Sequence, residues 1–326
     1  MTGLTAFAEN IRKWETFVLI SHVSIDGDTL GSAAALSFML DQMGKRCFWV
    51  GSGGIPYNLS TFPELMQLTL RQKIEKPQAA IAVDCADVER MECNKQHFQG
   101  AQVHFVIDHH KTNTGFGDWN YICPYPATAQ CVFELLKELK LSLTPEIARA
   151  LYIAFLTDTG RFSHSDVGGD TMHAVAELYN VMENVPETND ILFGRRTFAK
   201  TRLMGKALSN IELAANGRIA YYIIEQKDFN ETGASQADCE GLIRYALEID
   251  GVCAAFSLKK LSDNEGYKVS LRAKNEKIDV AQIAQRYGGG GHTMAAGCTC
   301  NGIKESIVQE LIKEILGQID ENGLMT

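Results

Sequence analysis

No apolar run in this 326-residue chain approaches the roughly 20 residues that a membrane span requires. The first fourteen residues, Met1 to Trp14, carry acidic and basic side chains where a signal peptide would carry an apolar core. These two absences predict a soluble, cytoplasmic protein without membrane contact. A basic excess is also lacking: 31 Lys and Arg against 40 Asp and Glu leave a formal net charge of -9. Stable binding of long duplex DNA uses many cationic contacts, so that partner is excluded. Nine cysteines form no CxxC pair and their number is odd. They read as small core residues in a reducing compartment, and only Cys298-Thr299-Cys300 would put two thiols on one face of a strand. There is no internal repeat and no low-complexity tract. An apolar content of 45% is that of a globular protein, and the length suits two ordinary domains.

What is present is a set of Asp and His residues, each just past an apolar segment. Phe17-Val18-Leu19-Ile20 delivers His22, Asp26 and Asp28, and Ala79-Ala80-Ile81-Ala82-Val83 delivers Asp84. Val103-His104-Phe105-Val106-Ile107 closes on Asp108-His109-His110, and Ala150 to Leu156, read as the end of a helix, precedes Asp158. In open α/β sheets ligands bind outside the carboxyl ends of the strands, so residues distant in sequence can converge there. Taken singly, each is an ordinary turn or helix-cap residue. Together they predict a metal site.

Imidazole with carboxylate and no thiolate suits Mn, Mg or Fe better than structural zinc. Two His and four Asp exceed what one ion with open positions can use, and they suit two ions sharing a carboxylate, as in phosphatases and nucleases. Phosphoester hydrolysis is the reaction class that follows.

His22-x3-Asp26-x-Asp28, Asp84, Asp108-His109-His110 and Asp158 resemble, in order, the four motifs of the DHH phosphoesterase superfamily. The resemblance implies that His22 and Asp26 hold one ion, Asp28 and His109 the other, and that Asp84 and Asp158 bridge them. It implies that a hydroxide bridging the ions attacks phosphorus, that His110 contacts the scissile phosphate or assists the leaving group, and that Asp108 orients His109. It also implies two divalent cations, Mn2+ first, with Mg2+ or Co2+ as substitutes. The family commonly has Pro before the first Asp of its first motif; Ile25 stands there, which loosens the loop more than it affects metal binding.

The second half carries Gly288-Gly289-Gly290-Gly291-His292. Glycines allow close backbone approach and can present N–H groups to an anion. Val269-Ser270-Leu271-Arg272 reads as an alternating strand that puts Arg272 beside Ser270 on one face. This pairing resembles the DHH-associated domain and implies that Gly289, Gly290, Gly291, His292 and Arg272 bind the nucleotide part of a substrate. With no sensor, membrane or oligonucleotide-binding segment added, the chain is similar to the small oligoribonuclease branch, which also removes the 3'-phosphate of adenosine 3',5'-bisphosphate. Short single-stranded RNA or a small nucleotide is the expected partner. An exopolyphosphatase or pyrophosphatase, a cyclic-dinucleotide phosphodiesterase and a non-catalytic nucleotide-binding regulator are the alternatives. Homodimerisation through the first domain stays open.

The expected architecture is α/β in two domains. A Rossmann-like, mostly parallel sheet with flanking helices occupies 1–185, a helical linker 186–213, and a smaller mixed-sheet domain 214–326. Strands are expected at 219–224, 252–258 and 267–271, and helices at 28–43, 235–247, 278–287 and 304–319. Thr144-Pro145 should open a further helix as N-cap and first residue.

Overall fold

The computed structural model describes residues 2–164, 166–261 and 266–321. It divides into two compact units, Met1–Arg195 and Arg196–Thr326. In unit one, strands β1 (Thr16–Ser21), β2 (Arg46–Val50), β3 (Ala79–Val83), β4 (Val103–Asp108) and β5 (Trp119–Ile122) form a parallel sheet ordered β2-β1-β3-β4-β5. Helices α1 (Leu4–Ile11), α2 (Gly27–Gln42), α3 (Pro63–Thr69), α4 (Lys95–Gln99), α5 (Thr128–Leu139), α6 (Pro145–Asp158), α7 (Gly169–Val181) and α8 (Val185–Asn189) surround it.

The central strands read as continuous apolar runs because both faces are covered, the usual state of a parallel sheet. Phe17, Leu19, Ile81, Val83, Phe105 and Ile107 point into one core, and Val18, Ile20, Ala80, Ala82 and Val106 into the other. Register aligns the strand ends: Ser21 pairs with Val83, Val83 with Ile107, and Asp108 with Ile122. The residues that follow these strands therefore emerge along one edge.

Helix α2 is rich in small residues for a packing reason. A Cβ on Gly31 would overlap the Ala150 carbonyl and touch Ala154, so α2 lies almost backbone to backbone against α6. Asp26 caps α2 by accepting from Thr29 N at 3.0 Å, and Thr144 caps α6 ahead of Pro145 by accepting from Ile147 N. Strands β2 and β5 carry no alternation that would announce them, since both lie at sheet edges with mixed exposure.

In unit two, α9 (Phe198–Ser209) precedes β6 (Glu212–Ala214), β7 (Ile219–Ile224), α10 (Gln226–Thr232), α11 (Ile243–Leu247), β8 (Ala254–Lys260) and β9 (Gly266–Ala273). Then come α12 (Val280–Arg286), β10 (Gly290–His292), β11 (Ala295–Asn301) and α13 (Lys304–Glu321). The sheet order is β10-β11-β9-β8-β7-β6, with β7 and β8 parallel and the other pairs antiparallel. One face packs on α12 and α13, and part of the other on α9, α10 and α11.

Two expectations need adjustment. The helix expected over 235–247 is split into a 3-10 turn, Gln236–Cys239, and α11, because Gly241 adopts a left-handed φ of 80° between them. The segment expected as a linker divides as well: α8 and a π turn (Asp190–Gly194) close unit one, while α9 opens unit two. Among the described residues no helix is long and apolar enough to cross a membrane. All nine cysteines are free, and Cys298 and Cys300 sit buried with their sulfurs 3.8 Å apart.

Candidate active site

His22 follows β1 directly, Asp26 and Asp28 open α2, Asp84 follows β3, Asp108 ends β4, and Asp158 is the last residue of α6. The fold brings their side chains together. His22 Nε2 lies 3.7 Å from Asp26 Oδ2 and 3.5 Å from Asp84 Oδ2. His109 Nε2 lies 3.6 Å from Asp84 Oδ1 and 3.4 Å from Asp158 Oδ2. The donor atoms cluster as His22, Asp26 and Asp84; as Asp28, His109 and Asp158; and as Asp84, His109 and His110. Asp84 faces both neighbouring sets with its two oxygens, whereas Asp158, expected as a second bridge, groups with Asp28 and His109.

Asp84 adopts a left-handed backbone, with φ of 59°. Asp is one of the few residues that tolerate this conformation, and such strain tends to persist where the surroundings over-determine the residue. Here the surroundings do so. Asp84 N donates to Ile107 O at 3.0 Å, while the hydroxyls of Thr29 and Thr128 donate to its two carboxylate oxygens at 2.6 and 2.9 Å.

The histidine partners correct one expectation. Asp108 does not orient His109; its Oδ1 accepts from His110 Nδ1 at 2.8 Å. In extended backbone, residues two apart share a side, so Asp108 reaches His110 and His109 points away. His109 Nδ1 instead donates to the Tyr125 carbonyl at 2.9 Å. A carbonyl can only accept, which places a ring proton on Nδ1 and turns Nε2 toward Asp84 and Asp158. Asp108, fully buried, is itself held by Asn113 Nδ2 at 2.7 Å, and the same amide nitrogen donates to Cys85 O at 3.0 Å.

Electrostatically the cluster is crowded with negative charge. Burial, then Asp84, Asp158 and Asp26, push the Asp28 carboxyl well above its usual range. Burial raises Asp158 to about 6, and burial with Asp84 raises Asp26. Burial would raise Asp84 too, but the hydrogen bond and charge of its imidazole and hydroxyl neighbours hold it below the ordinary value. The hydrogen bond that His110 donates to Asp108, working against burial, raises His110. No Lys or Arg among the described residues forms an ion pair with these carboxylates. An array of crowded carboxylates with imidazole nitrogens between them fits divalent cations, which would neutralise it.

Unit two holds the other expected residues on one sheet. His292 pairs with Ala295, Ala295 with Arg272, and Arg272 with Ala255, so the four side chains form one cross-strand row on a single face. The adjacent row runs Gly290, Gly297, Ser270, Ser257. Small residues thus surround Arg272 and leave a shelf between it and exposed His292. Arg272 is half-buried, its Nη1 donates to Leu271 O at 2.8 Å, and it makes no ion pair among the described residues. The glycines serve packing as much as access: a Cβ on Gly289 would overlap Gly297 O, and one on Gly291 would meet Ala295 O, while Gly290 faces open space.

Family models match both units. Residues 16–155 match the DHH family, N-terminal domain, and residues 216–321 match the DHHA1 domain. A bifunctional oligoribonuclease and PAP phosphatase NrnA of Thermus thermophilus is 32% identical over 303 residues, covering 91% of this chain and 87% of that protein. The chain belongs to the DHH family. Within it, the chain stands with the NrnA-named proteins, including that of Bacillus subtilis, 24% identical over 309 residues with 90% and 92% of the two chains covered. Among solved structures, an exopolyphosphatase-related protein of Bacteroides fragilis matches with a TM-score of 0.89 at 22% identity, covering 98% of each chain. Exonuclease RecJ bound to manganese matches at 0.54 and 14% identity, covering 100% of this chain and 96% of that one. At these identities the likeness is one of fold.

Sequence reading of this DHH-family chain passed over Thr29, Asn113, Tyr125 and Thr128. None belongs to a charged cluster. Tyr125 acts through its carbonyl and Thr128 partly through its N–H, which no side-chain pattern reveals. Asn113, five residues after Asp108, was the most accessible of the four, as a polar residue in the same short loop.

Proposed function

We propose that this protein is a two-metal phosphoesterase that hydrolyses short oligoribonucleotides and removes the 3'-phosphate of adenosine 3',5'-bisphosphate. The observation that carries the metal reading is the convergence of donor atoms: His109, its Nδ1 committed to Tyr125 O, turns Nε2 toward Asp84 and Asp158 at 3.6 and 3.4 Å, while His22 and Asp26 meet Asp84 from the other side. Carboxylates crowded this closely, with no Lys or Arg partner among the described residues, call for the positive charge that divalent cations would supply. His22 and Asp26 would hold one ion and Asp28, His109 and Asp158 the other, with Asp84 within reach of both sets. Mn2+ is the first choice, since imidazole and carboxylate without thiolate suit it.

The chemistry that two divalent ions would supply there is a lowered pKa for the attacking water and charge stabilisation for an in-line displacement at phosphorus. The protein's own part is to hold that geometry and to manage one proton. His110, oriented by Asp108 through Nδ1 and kept protonated more readily than a free imidazole, presents Nε2 to the leaving oxygen. Arg272, whose guanidinium has no carboxylate partner among the described residues, takes a substrate phosphate or stacks on a base, with the Gly289-Gly290-Gly291-His292 segment beside it. A nucleotide substrate accounts for that shelf. An inorganic phosphate chain would use Arg272 alone and leave the small-residue surface beside it empty.

The test is release of phosphate or mononucleotide from adenosine 3',5'-bisphosphate, a 5'-phosphorylated diribonucleotide, pyrophosphate and polyphosphate, each with Mn2+, with Asp84→Asn as the blank. Preference for the first two supports the reading. Preference for the inorganic pair overturns the substrate and keeps the metal chemistry, and absence of turnover on all four overturns both.

A further inference from the structure

We propose that Thr128, outside every charged motif of the chain, is a positioning residue that sets Asp28 and Asp84 relative to each other for divalent-cation binding. This rests on the metal reading above, though not on the choice of substrate.

Thr128 is the first residue of α5 and is completely buried. The N-cap of that helix, Ala127, has no side chain able to cap it. Asp28 supplies the cap from across the fold: its Oδ2 accepts from Thr128 N at 2.6 Å, and its Oδ1 accepts from Ala129 N at 3.0 Å and from Ser32 Oγ at 3.0 Å. The same Thr128 turns its hydroxyl the other way and donates to Asp84 Oδ1 at 2.9 Å. One residue therefore grips two carboxylates from different elements, α2 and the end of β3.

Its chemistry suits the task. A helical Thr usually bonds back to the carbonyl four residues earlier. At the first position of a helix that carbonyl is outside the helix, so the hydroxyl is free for Asp84. Both donors are uncharged, so they steady the anions without contributing the positive charge that a Lys or Arg would bring in competition with a cation. Each carboxylate oxygen has more than one lone-pair site, so a hydrogen bond to it leaves room for a metal. The β-branch restricts χ1 and holds the hydroxyl direction.

The experiment compares the full-length wild type with Thr128→Val, which keeps shape and backbone N–H but loses the hydroxyl, and Thr128→Ser, which keeps the hydroxyl. The readouts are the Mn2+ binding isotherm, the thermal melt of the metal-free protein, and kcat and KM separately. Thr128→Val is expected to melt cooperatively, to bind Mn2+ at least about tenfold more weakly, and to lose kcat by a similar factor at nearly constant KM, the size of effect seen for partners of metal ligands. Thr128→Ser should recover most of the affinity. If burying the valine methyl prevents folding, Thr128→Ala carries the same expectation. Wild-type Mn2+ affinity in the hydroxyl-less variant overturns the inference, as does equal loss in Thr128→Ser. A wild type that binds Mn2+ but turns over no nucleotide would count against the proposed substrate alone, because the isotherm needs none.

Discussion

The Asp/His cluster of unit one and the shelf of unit two are opposite solutions to recognising charge. In the cluster, carboxylates crowd together, cross-held by neutral hydroxyls and amides, and have no Lys or Arg partner among the described residues. On the shelf, a guanidinium stands half-buried among alanine, glycine and serine with no ion-pair partner among the described residues. Each region is short of the charge that the other carries. The first therefore suits metal ions and the second an anion such as phosphate. The difference also shows in how each is held: the cluster depends on backbone strain and deep hydrogen bonds, the shelf on cross-strand register and the absence of side chains.

Breaking the cluster should cost most. Asp84→Asn removes a charge facing both donor sets, so turnover should fall by at least about a thousandfold on every substrate and Mn2+ binding should weaken; near-normal steady-state rates would refute the assignment. His110→Ala should lower kcat by about a hundredfold or more, the usual worth of a positioned proton donor, with Mn2+ affinity much less affected. A loss of metal binding equal to the loss of rate would make His110 a ligand instead. On the shelf, Arg272→Ala should raise KM for nucleotide substrates by roughly ten- to a hundredfold, as expected for loss of a hydrogen-bonded charge, and leave pyrophosphate kinetics unchanged. An equal effect on pyrophosphate would erase the contrast between the regions.

Acidity separates them too. In the metal-free protein burial holds Asp158 at about 6 and raises Asp28, so the folded state favours their protonated forms. The sign follows: this contribution is most favourable at low pH and is lost as pH rises from the ordinary carboxylate range through about 6. Metal must displace those protons, so the rise in melting temperature on adding Mn2+ should widen between pH 5 and pH 7, roughly the window of that titration. A constant or shrinking gap in scanning fluorimetry would contradict the crowded-anion picture. The smallest effect expected is for His292→Ala, exposed at the rim of the shelf: a few-fold rise in KM, of the order of one solvated hydrogen bond.

Much of this was legible beforehand because the signals are local. Strand β7 was expected at its observed limits, α2 and α13 within a residue or two, and the Thr144-Pro145 start of α6 follows from capping chemistry. The edge strands β2 and β5 were not legible, since their residues answer to neighbours on one side only. Gly241 broke a helix that periodicity favoured, because a positive φ leaves no mark in the apolar pattern. The pairing of Asp108 with His110 rather than His109 was decided by which way side chains leave an extended chain.

By itself the sequence determined the inventory: which anions, imidazoles and glycines exist, the apolar runs that carry them to strand ends, and the order that identifies the DHH family. Composition and spacing are properties of the chain, and local propensity translates them directly. Tertiary structure alone decided that Asp28 caps α5, that Asp84 is clasped by two threonines, and that the Tyr125 carbonyl holds His109 Nδ1. The first and last of these use backbone N–H and C=O groups that nearly every residue carries, and the second uses hydroxyls of two among many threonines, so only their positions in the folded chain distinguish them.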